Sequence, residues 1–403
     1  MAEDRSWEAH GFLEVPTSVR DREVVATSTA LALIVFLTTN TVDITRFAWD
    51  NTFYRAMAES WLAPHSLTAP FAYRLGGPLL ARILSDVTGM PLEHAFRALA
   101  WAGCALQLVV VWHFVRLLTH SKRAAWVGWA VTAASFWNVK FLAFYVYSTD
   151  NLAYPLVFGA LLAAICRRWV TLIVLALSGA LFREFSVIPP LAAVASMVSL
   201  REWATLKRWG GALIGATSIA VIAPRVFLTV SSSTASVSMG HPVQDVAHLV
   251  LDWERDINLI LAAVFIALPV AALCTKRSAL IRHSPWVNHI LRWYTAGVLA
   301  LAMIGGSDLG RFLSYLIPVA ALLAGQLAAS ASIAAVVTVI AVTAWFNRIA
   351  EPIPGVSIAD YLDHYGVFHN RINAATLSRI TWWLACAVLG RTATRLMPRS
   401  APQ

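Results

Sequence analysis

The feature that most constrains this chain is an alternation repeated along its length: apolar runs long enough to cross a bilayer, separated by short polar stretches. A helix needs about 20 residues to cross the hydrocarbon. Runs near that length lie at 24–41, 98–118, 125–144, 151–166, 169–182, 185–199, 210–229, 257–274, 289–305, 312–328, 331–346 and 378–390. The pattern predicts an all-α, polytopic integral membrane bundle of about 12 transmembrane helices (10–13) rather than a soluble fold. Of the 403 residues, 58% are apolar and only 13% charged, which is more apolar surface than a soluble core could use. No polar Pro/Gly/Ser-rich linker divides the chain. One transmembrane domain is expected over 24–390, between an N-terminal tail (1–23) and a C-terminal tail (391–403). The first run follows Ser-Val-Arg-Asp-Arg-Glu and ends Leu-Thr-Thr-Asn-Thr-Val-Asp, without a small-residue cleavage pattern, so an uncleaved anchor is expected.

The charges sort with the runs. The net charge of +9 would suggest nucleic acid in a soluble protein, but here the basic residues fall between apolar runs, where they set topology. With Arg5, Arg20 and Arg22 in the cytoplasm, the groups Lys122–Arg123, Arg167–Arg168, Arg201 with Lys207–Arg208, Lys276–Arg277 with Arg282 and Arg292, and Arg391, Arg395 and Arg399 all fall on the cytoplasmic side. The expectation is a cell (inner) membrane protein with both termini cytoplasmic. The segments 42–97, 145–151, 182–185, 230–256, 305–311 and 347–377 then lie outside, and they carry mixed acids, arginines, tyrosines and histidines. Cys104, Cys166, Cys274 and Cys386 show no CxxC spacing, so neither a disulfide nor a zinc site is predicted.

Several outer segments could carry chemistry. In Trp-Asp-Asn-Thr-Phe-Tyr-Arg-Ala-Met-Ala (49–58), Arg46, Asp50 and Tyr54 are four residues apart, so a helix aligns them on one face; Arg55 and Glu59 form a second such pair. Residues 69–84 read as another amphipathic helix, entered through Pro70 with Tyr73 and Arg74 near its start. Both helices would lie along the outer surface, and a solvated loop packed over the bundle fits this stretch equally well. Residues 169–182 and 185–199 read as a hairpin with Arg183–Glu184 at its tip. Its first arm spans only about 21 Å against about 30 Å of hydrocarbon, which sinks the two charges below the outer surface. There they need partners or a wet cavity; a long tilted helix with a structural ion pair is the alternative. The last outer loop holds Asp360, Asp363, His364, His369 and Arg371, a spacing that does not force metal ligands to converge. No metal site is predicted, although a divalent cation stays compatible with the acids present.

Taken in order along the chain, these motifs resemble the GT-C superfamily of polyprenyl-phosphate-sugar-dependent membrane glycosyltransferases, in its bacterial multi-pass form. The resemblance rests on the Asp-x-x-x-Tyr-x-x-x-Ala pattern of Asp50, Tyr54 and Ala58, on Pro-Phe-Ala-Tyr-Arg (70–74), on the Arg-Glu hairpin tip at 183–184, on Gly-Gly-Ser-Asp-Leu-Gly-Arg (305–311), and on Tyr-Ser-Thr-Asp-Asn (147–151). The chain lacks a first-loop acidic pair like the Asp-Glu of protein mannosyltransferase relatives. The resemblance implies transfer of a sugar from a polyprenyl-phosphate donor to a glycan, lipid or protein acceptor on the extracytoplasmic face of the cell envelope. It implies membrane lipids, the lipid-linked donor and the acceptor as partners, no nucleic acid, and no certain cofactor beyond the donor. It also implies a first-loop base, for which Asp50 ranks first and Asp43 second. Arg74, Arg183 and Arg311 would face the donor phosphate, since arginine offers two donors and keeps its charge. Asp150, Glu184 and Asp308 would orient those arginines or bind sugar hydroxyls. Tyr54, Arg55, Tyr73, His364 and His369 complete the expected substrate-binding set. A transporter or flippase is the rival reading, but such proteins keep ionisable residues near the midplane of matching halves. A non-catalytic scaffold of the same fold is a third; loss of Asp50 would be its mark.

Overall fold

The computed structural model describes residues 19–42, 50–63, 66–69, 71–228, 232–233, 284–304, 309–330, 332–346 and 353. The spans expected at 257–274 and 378–390 and the loop at 347–377, apart from Ile353, lie outside them, as do Asp43, Arg46, Asp308, His364 and His369.

The described chain is almost wholly helical. Helix α1 (Val19–Thr38) leads to two first-loop helices, α2 (Asp50–Glu59) and α3 (Gly76–Thr88). A two-residue strand, β1 (Thr68–Ala69), and a 3₁₀ turn (Phe71–Tyr73) lie between them. Next come α4 (Leu92–Thr119), α5 (Lys122–Ala133), a π-turn (Phe136–Lys140) and α6 (Phe141–Phe144). They are followed by α7 (Asp150–Ile165), α8 (Trp169–Ala180), α9 (Ile188–Ser199) and α10 (Trp203–Phe227). The remainder is β2 (Ser232–Ser233), α11 (Pro285–Ile304), α12 (Leu309–Leu313), α13 (Ile317–Ser330) and α14 (Ile333–Phe346). Strands β1 and β2 pair in parallel over two residues.

Among the described residues, α4 and α10 are long and apolar enough to cross a bilayer outright, and shorter apolar helices pack beside them. Lipid-facing surface explains the exposure pattern. Leu37 of α1, Val170 of α8, Phe227 of α10 and Ile333 of α14 stand exposed, which a water-soluble surface of this extent would not tolerate. A set of polar side chains, Gln107, Asn138, Asp150, Arg183 and Arg311 among them, turns inward instead.

Helix α4 is the bundle's central strut. Its C-terminus closes on His120 in the left-handed conformation, whose N–H bonds the Arg116 carbonyl at 3.0 Å. Where α4 meets α7, a side chain at Gly103 would sit 2.0 Å from the Asn151 carbonyl oxygen. Only glycine lets the first turn of α7 seat against α4, and that turn carries Asp150.

Three expectations change. The second amphipathic helix starts at Gly76 rather than residue 69, so Tyr73 and Arg74 occupy the turn before it, where their side chains reach back into the bundle. The run 125–144 is broken: α5 stops at Ala133, Ser135 is extended, and the π-turn restarts the helix. The segment expected as a cytoplasmic connector before 210 is continuous with α10, because Trp203–Gly210 coils directly into it. The hairpin over 169–199 is as expected, with a 3₁₀ turn (Glu184–Val187) at its tip.

Candidate active site

Asp50, Tyr54, Arg74, Asp150, Arg183, Glu184 and Arg311, all singled out from the sequence, meet at one end of the bundle. Asp150 opens α7 and is fully buried. Arg183 leaves the end of α8 and grips it with one edge of its guanidinium: Nε donates to Oδ1 at 2.7 Å and Nη2 to Oδ2 at 2.9 Å. Arg311, near the start of α12, stands 3.2 Å from Oδ2. The Tyr315 hydroxyl donates to Oδ1 at 2.7 Å and the Ser148 hydroxyl to Oδ2 at 3.0 Å. The ring of Phe185 stacks on Tyr315 at 4.3 Å, so the hairpin tip and α12 are held together by aromatic packing as well as charge. This satisfies the condition the sequence posed for a sunken Arg183: it is ion-paired inside protein.

A second layer lies closer to solvent. Glu184, next in sequence to Arg183, faces Arg74, with Nε to Oε1 and Nη2 to Oε2 both at 3.3 Å. The third guanidinium nitrogen, Nη1, donates to the Tyr54 hydroxyl at 3.3 Å. Arg74 reaches this position because the start of α3 is docked on the α8–α9 turn. The Gly76 N–H bonds the Leu181 carbonyl at 2.8 Å, and a β-carbon on Gly76 would collide with the Phe182 ring at 2.7 Å. Burial works against the Arg74 charge, and Arg183 adds to that. Glu184 and Tyr54 outweigh both, and the guanidinium is held charged, above its already high ordinary value.

Helix α2 brings in the third layer. Asp50 and Tyr54 share a face, as their spacing predicts. Tyr54 packs with Met57, Leu67 and Ala72 in a small first-loop core, and Phe53 stacks on Phe71 at 4.6 Å. Asp50 Oδ1 accepts the Tyr145 hydroxyl at 2.6 Å, and Tyr145 also receives the Asn51 N–H at 2.7 Å. Burial first, then the Asp50 carboxylate, push the Tyr145 phenol well above its ordinary value, so it stays a donor. Arg55 points elsewhere, pairing with Glu59 at 2.6 Å on an exposed face. Tyr73 is half-buried beneath Arg225 of α10, whose guanidinium lies 4.8 Å from its ring centre. Tyr145, Ser148 and Tyr315 were not anticipated. The tyrosine hydroxyls gain meaning only from partners 95 and 165 residues away, and Ser148, two residues before Asp150, reads as an ordinary loop serine. Among the described residues, no three of His, Cys, Asp or Glu converge as metal ligands.

No protein-family model matches the sequence, and no curated protein sequence does. Solved structures do match. A crystal structure of ArnT from Cupriavidus metallidurans bound to undecaprenyl phosphate overlays this chain with a TM-score of 0.55, covering 94% of it and 81% of the other. In fold, the chain is similar to ArnT. The apo state of ArnT gives the same answer, with a TM-score of 0.54 and coverage of 92% and 77%. Identity to ArnT is 14% in both cases, so the likeness is one of fold. At that level it bears out the GT-C resemblance drawn from the sequence.

Proposed function

We propose that this chain is a membrane glycosyltransferase that moves a sugar from a polyprenyl-phosphate-linked donor to an acceptor hydroxyl at the extracytoplasmic face. The observation that carries the reading is the convergence, at one end of an apolar bundle, of Asp50, Arg74, Arg183 and Arg311 from four separate segments. The similarity in fold to a protein crystallised with undecaprenyl phosphate supports the lipid as donor carrier.

The layers suggest a division of labour. Asp150 accepts hydrogen bonds from Arg183, Tyr315 and Ser148 and is ion-paired with Arg311, which leaves it little capacity to abstract a proton; it braces the arginines. Arg183 is committed to Asp150 and contributes positive potential from behind. Arg74 is the arginine suited to the donor phosphate. Its bonds are long, at 3.3 Å, its side chain is partly open, and a phosphate offers stronger charge-assisted bonds than a tyrosine hydroxyl does. Asp50, at the start of α2, is the base that takes the acceptor's proton, a role contributing about 10²–10⁴ in rate. The lipid tail runs along the apolar outer surface. The positive-inside distribution of Lys122–Arg123, Arg167–Arg168 and Lys207–Arg208 supports an extracytoplasmic position for this end.

Protein purified into lipid should transfer label from a polyprenyl-phosphate sugar to an envelope glycan or lipid acceptor. Asp50→Asn should abolish transfer without lowering the unfolding temperature. Full activity in both Asp50→Asn and Asp43→Asn would refute the assignment of the base, and energy-dependent uptake into vesicles without product would favour transport.

A further inference from the structure

Tyr145 sits in the turn between α6 and α7, fully buried, and meets the first turn of α2 twice. The direction of both bonds follows from chemistry. A backbone N–H only donates, so the Asn51 amide uses a lone pair of the phenol oxygen; an ionised carboxylate only accepts, so the phenol proton points at Asp50 Oδ1. One oxygen of Asp50 is thereby engaged by a neutral donor. A proton taken up by this carboxylate goes to Oδ2, the oxygen Tyr145 does not touch.

The phenol is held from behind by rigid elements rather than by a loop. Its own N–H bonds the Phe141 carbonyl at 2.7 Å, and its ring stacks on Phe141 at 5.6 Å. The segment just before it is tied to the end of α1, where the Val42 N–H donates to the Phe144 carbonyl at 2.8 Å. The π-turn below is clamped to α4. The Asn138 amide donates to Gln107 Oε1 at 3.3 Å, the Gln107 amide donates to the Asn138 carbonyl, and Ser135 donates to Asn138 Oδ1 at 2.8 Å. Gln107, Ser135 and Asn138 are all buried in an otherwise apolar region. Buried polar groups in a membrane interior are costly unless satisfied, and π-turns recur where a helix has been re-aimed for a functional purpose. Here the re-aimed residue is Tyr145.

We propose that Tyr145 is a positioning residue for the transfer reaction, fixing the rotation of the Asp50 carboxylate so that Oδ2 faces the acceptor hydroxyl. This rests on the transferase reading given above. In the step it serves, the acceptor's O–H proton passes to Oδ2 and the acceptor oxygen forms a bond to the anomeric carbon. The bond from that carbon to the donor's phosphate oxygen breaks, and the lipid phosphate leaves with the electron pair. Nothing is oxidised or reduced.

The test is steady-state transfer by the full chain in lipid, using a labelled polyprenyl-phosphate sugar, with four variants: Tyr145→Phe, Asp50→Asn, Asp50→Glu, and Tyr145→Phe combined with Asp50→Glu. Phenylalanine keeps the ring on Phe141, so folding is checked by the unfolding temperature, which should move little. The expected result is a fall in kcat of about 10–100-fold in Tyr145→Phe, with KM for the donor unchanged. The Asp50→Glu background, where the carboxylate has already lost its alignment, should show a much smaller loss from the same substitution. Wild-type kcat in Tyr145→Phe, a loss confined to KM, or an undiminished loss in the Asp50→Glu background would each overturn the positioning role. Wild-type transfer by Asp50→Asn would instead overturn the assignment of Asp50 as base, whatever Tyr145 does.

Discussion

At one end of the bundle Arg183 grips Asp150 through Nε and Nη2 with 2% of its side chain exposed; at the other, Arg167 grips Glu202 at 2.8 and 2.6 Å with 39% exposed. Helices α7 and α8 run from one pair to the other: Asp150 opens α7, Arg167 lies in the turn between the two, and Arg183 follows α8, while Glu202 follows α9. Both pairs are bidentate, Arg183 through Nε and Nη2 and Arg167 through Nη1 and Nη2. What differs is the solvent. Arg167 spreads over the Trp286 ring at 4.3 Å, the Trp286 indole bonds the last carbonyls of α7, and water is at hand for the rest of the charge. Its value to the fold is small, because exposed pairs contribute little. Arg183 has no such outlet. Its charge is tolerable only because Asp150 and its hydroxyl partners were assembled around it, and a hydrophobic pair of similar size would fill the space at lower cost. Among the described residues the buried form of the pair stands at the end where the transfer reaction is proposed, and the exposed form at the other.

That contrast can be broken in graded steps. Asp150→Ala should be the most damaging change, lowering stability by about 3–5 kcal/mol, since it strands Arg183 beside Arg311 without a counter-charge. Thermal unfolding in detergent measures it, and a loss under 1 kcal/mol would mean that water reaches this layer. Gly103→Ala comes next, at about 1–3 kcal/mol, because the new methyl must push α7 off α4 at Asn151. Transfer activity should fall with it, as Asp150 rides on the displaced turn. Arg167→Ala should cost about 0.2–1 kcal/mol and leave transfer unchanged. If it costs as much as Asp150→Ala, the two ends are equivalent and the contrast fails.

Much of this arrangement was legible in the chain itself. The alternation of apolar runs announced a membrane bundle, and the sorting of Lys122–Arg123 and Arg167–Arg168 away from Asp50, Asp150 and Arg183 separated the two ends before any contact was known. The four-residue spacing of Asp50 and Tyr54 was enough to put them on one face. Other parts depend on information that no local pattern carries. Arg74 looked like a helical residue because Pro70 precedes an amphipathic stretch, yet the docking of Gly76 on Leu181 and Phe182 delays the helix and frees Arg74 to reach Glu184. Tyr145 sits at the edge of an apolar run and Tyr315 within one, and their bonds to Asp50 and Asp150 join residues 95 and 165 positions apart. The break at Ser135 is equally silent, since what stabilises the π-turn is Gln107 on another helix.

The most direct test of the central claim is the affinity of polyprenyl phosphate for the intact protein in nanodiscs, compared across wild type, Arg74→Gln and Arg167→Gln. Loss of a charged hydrogen-bond donor to the phosphate should weaken binding about tenfold or more in Arg74→Gln, while Arg167→Gln binds like wild type. Equal affinities in all three, or a loss confined to Arg167→Gln, would contradict the placement of the donor phosphate at the Asp50–Arg74 end.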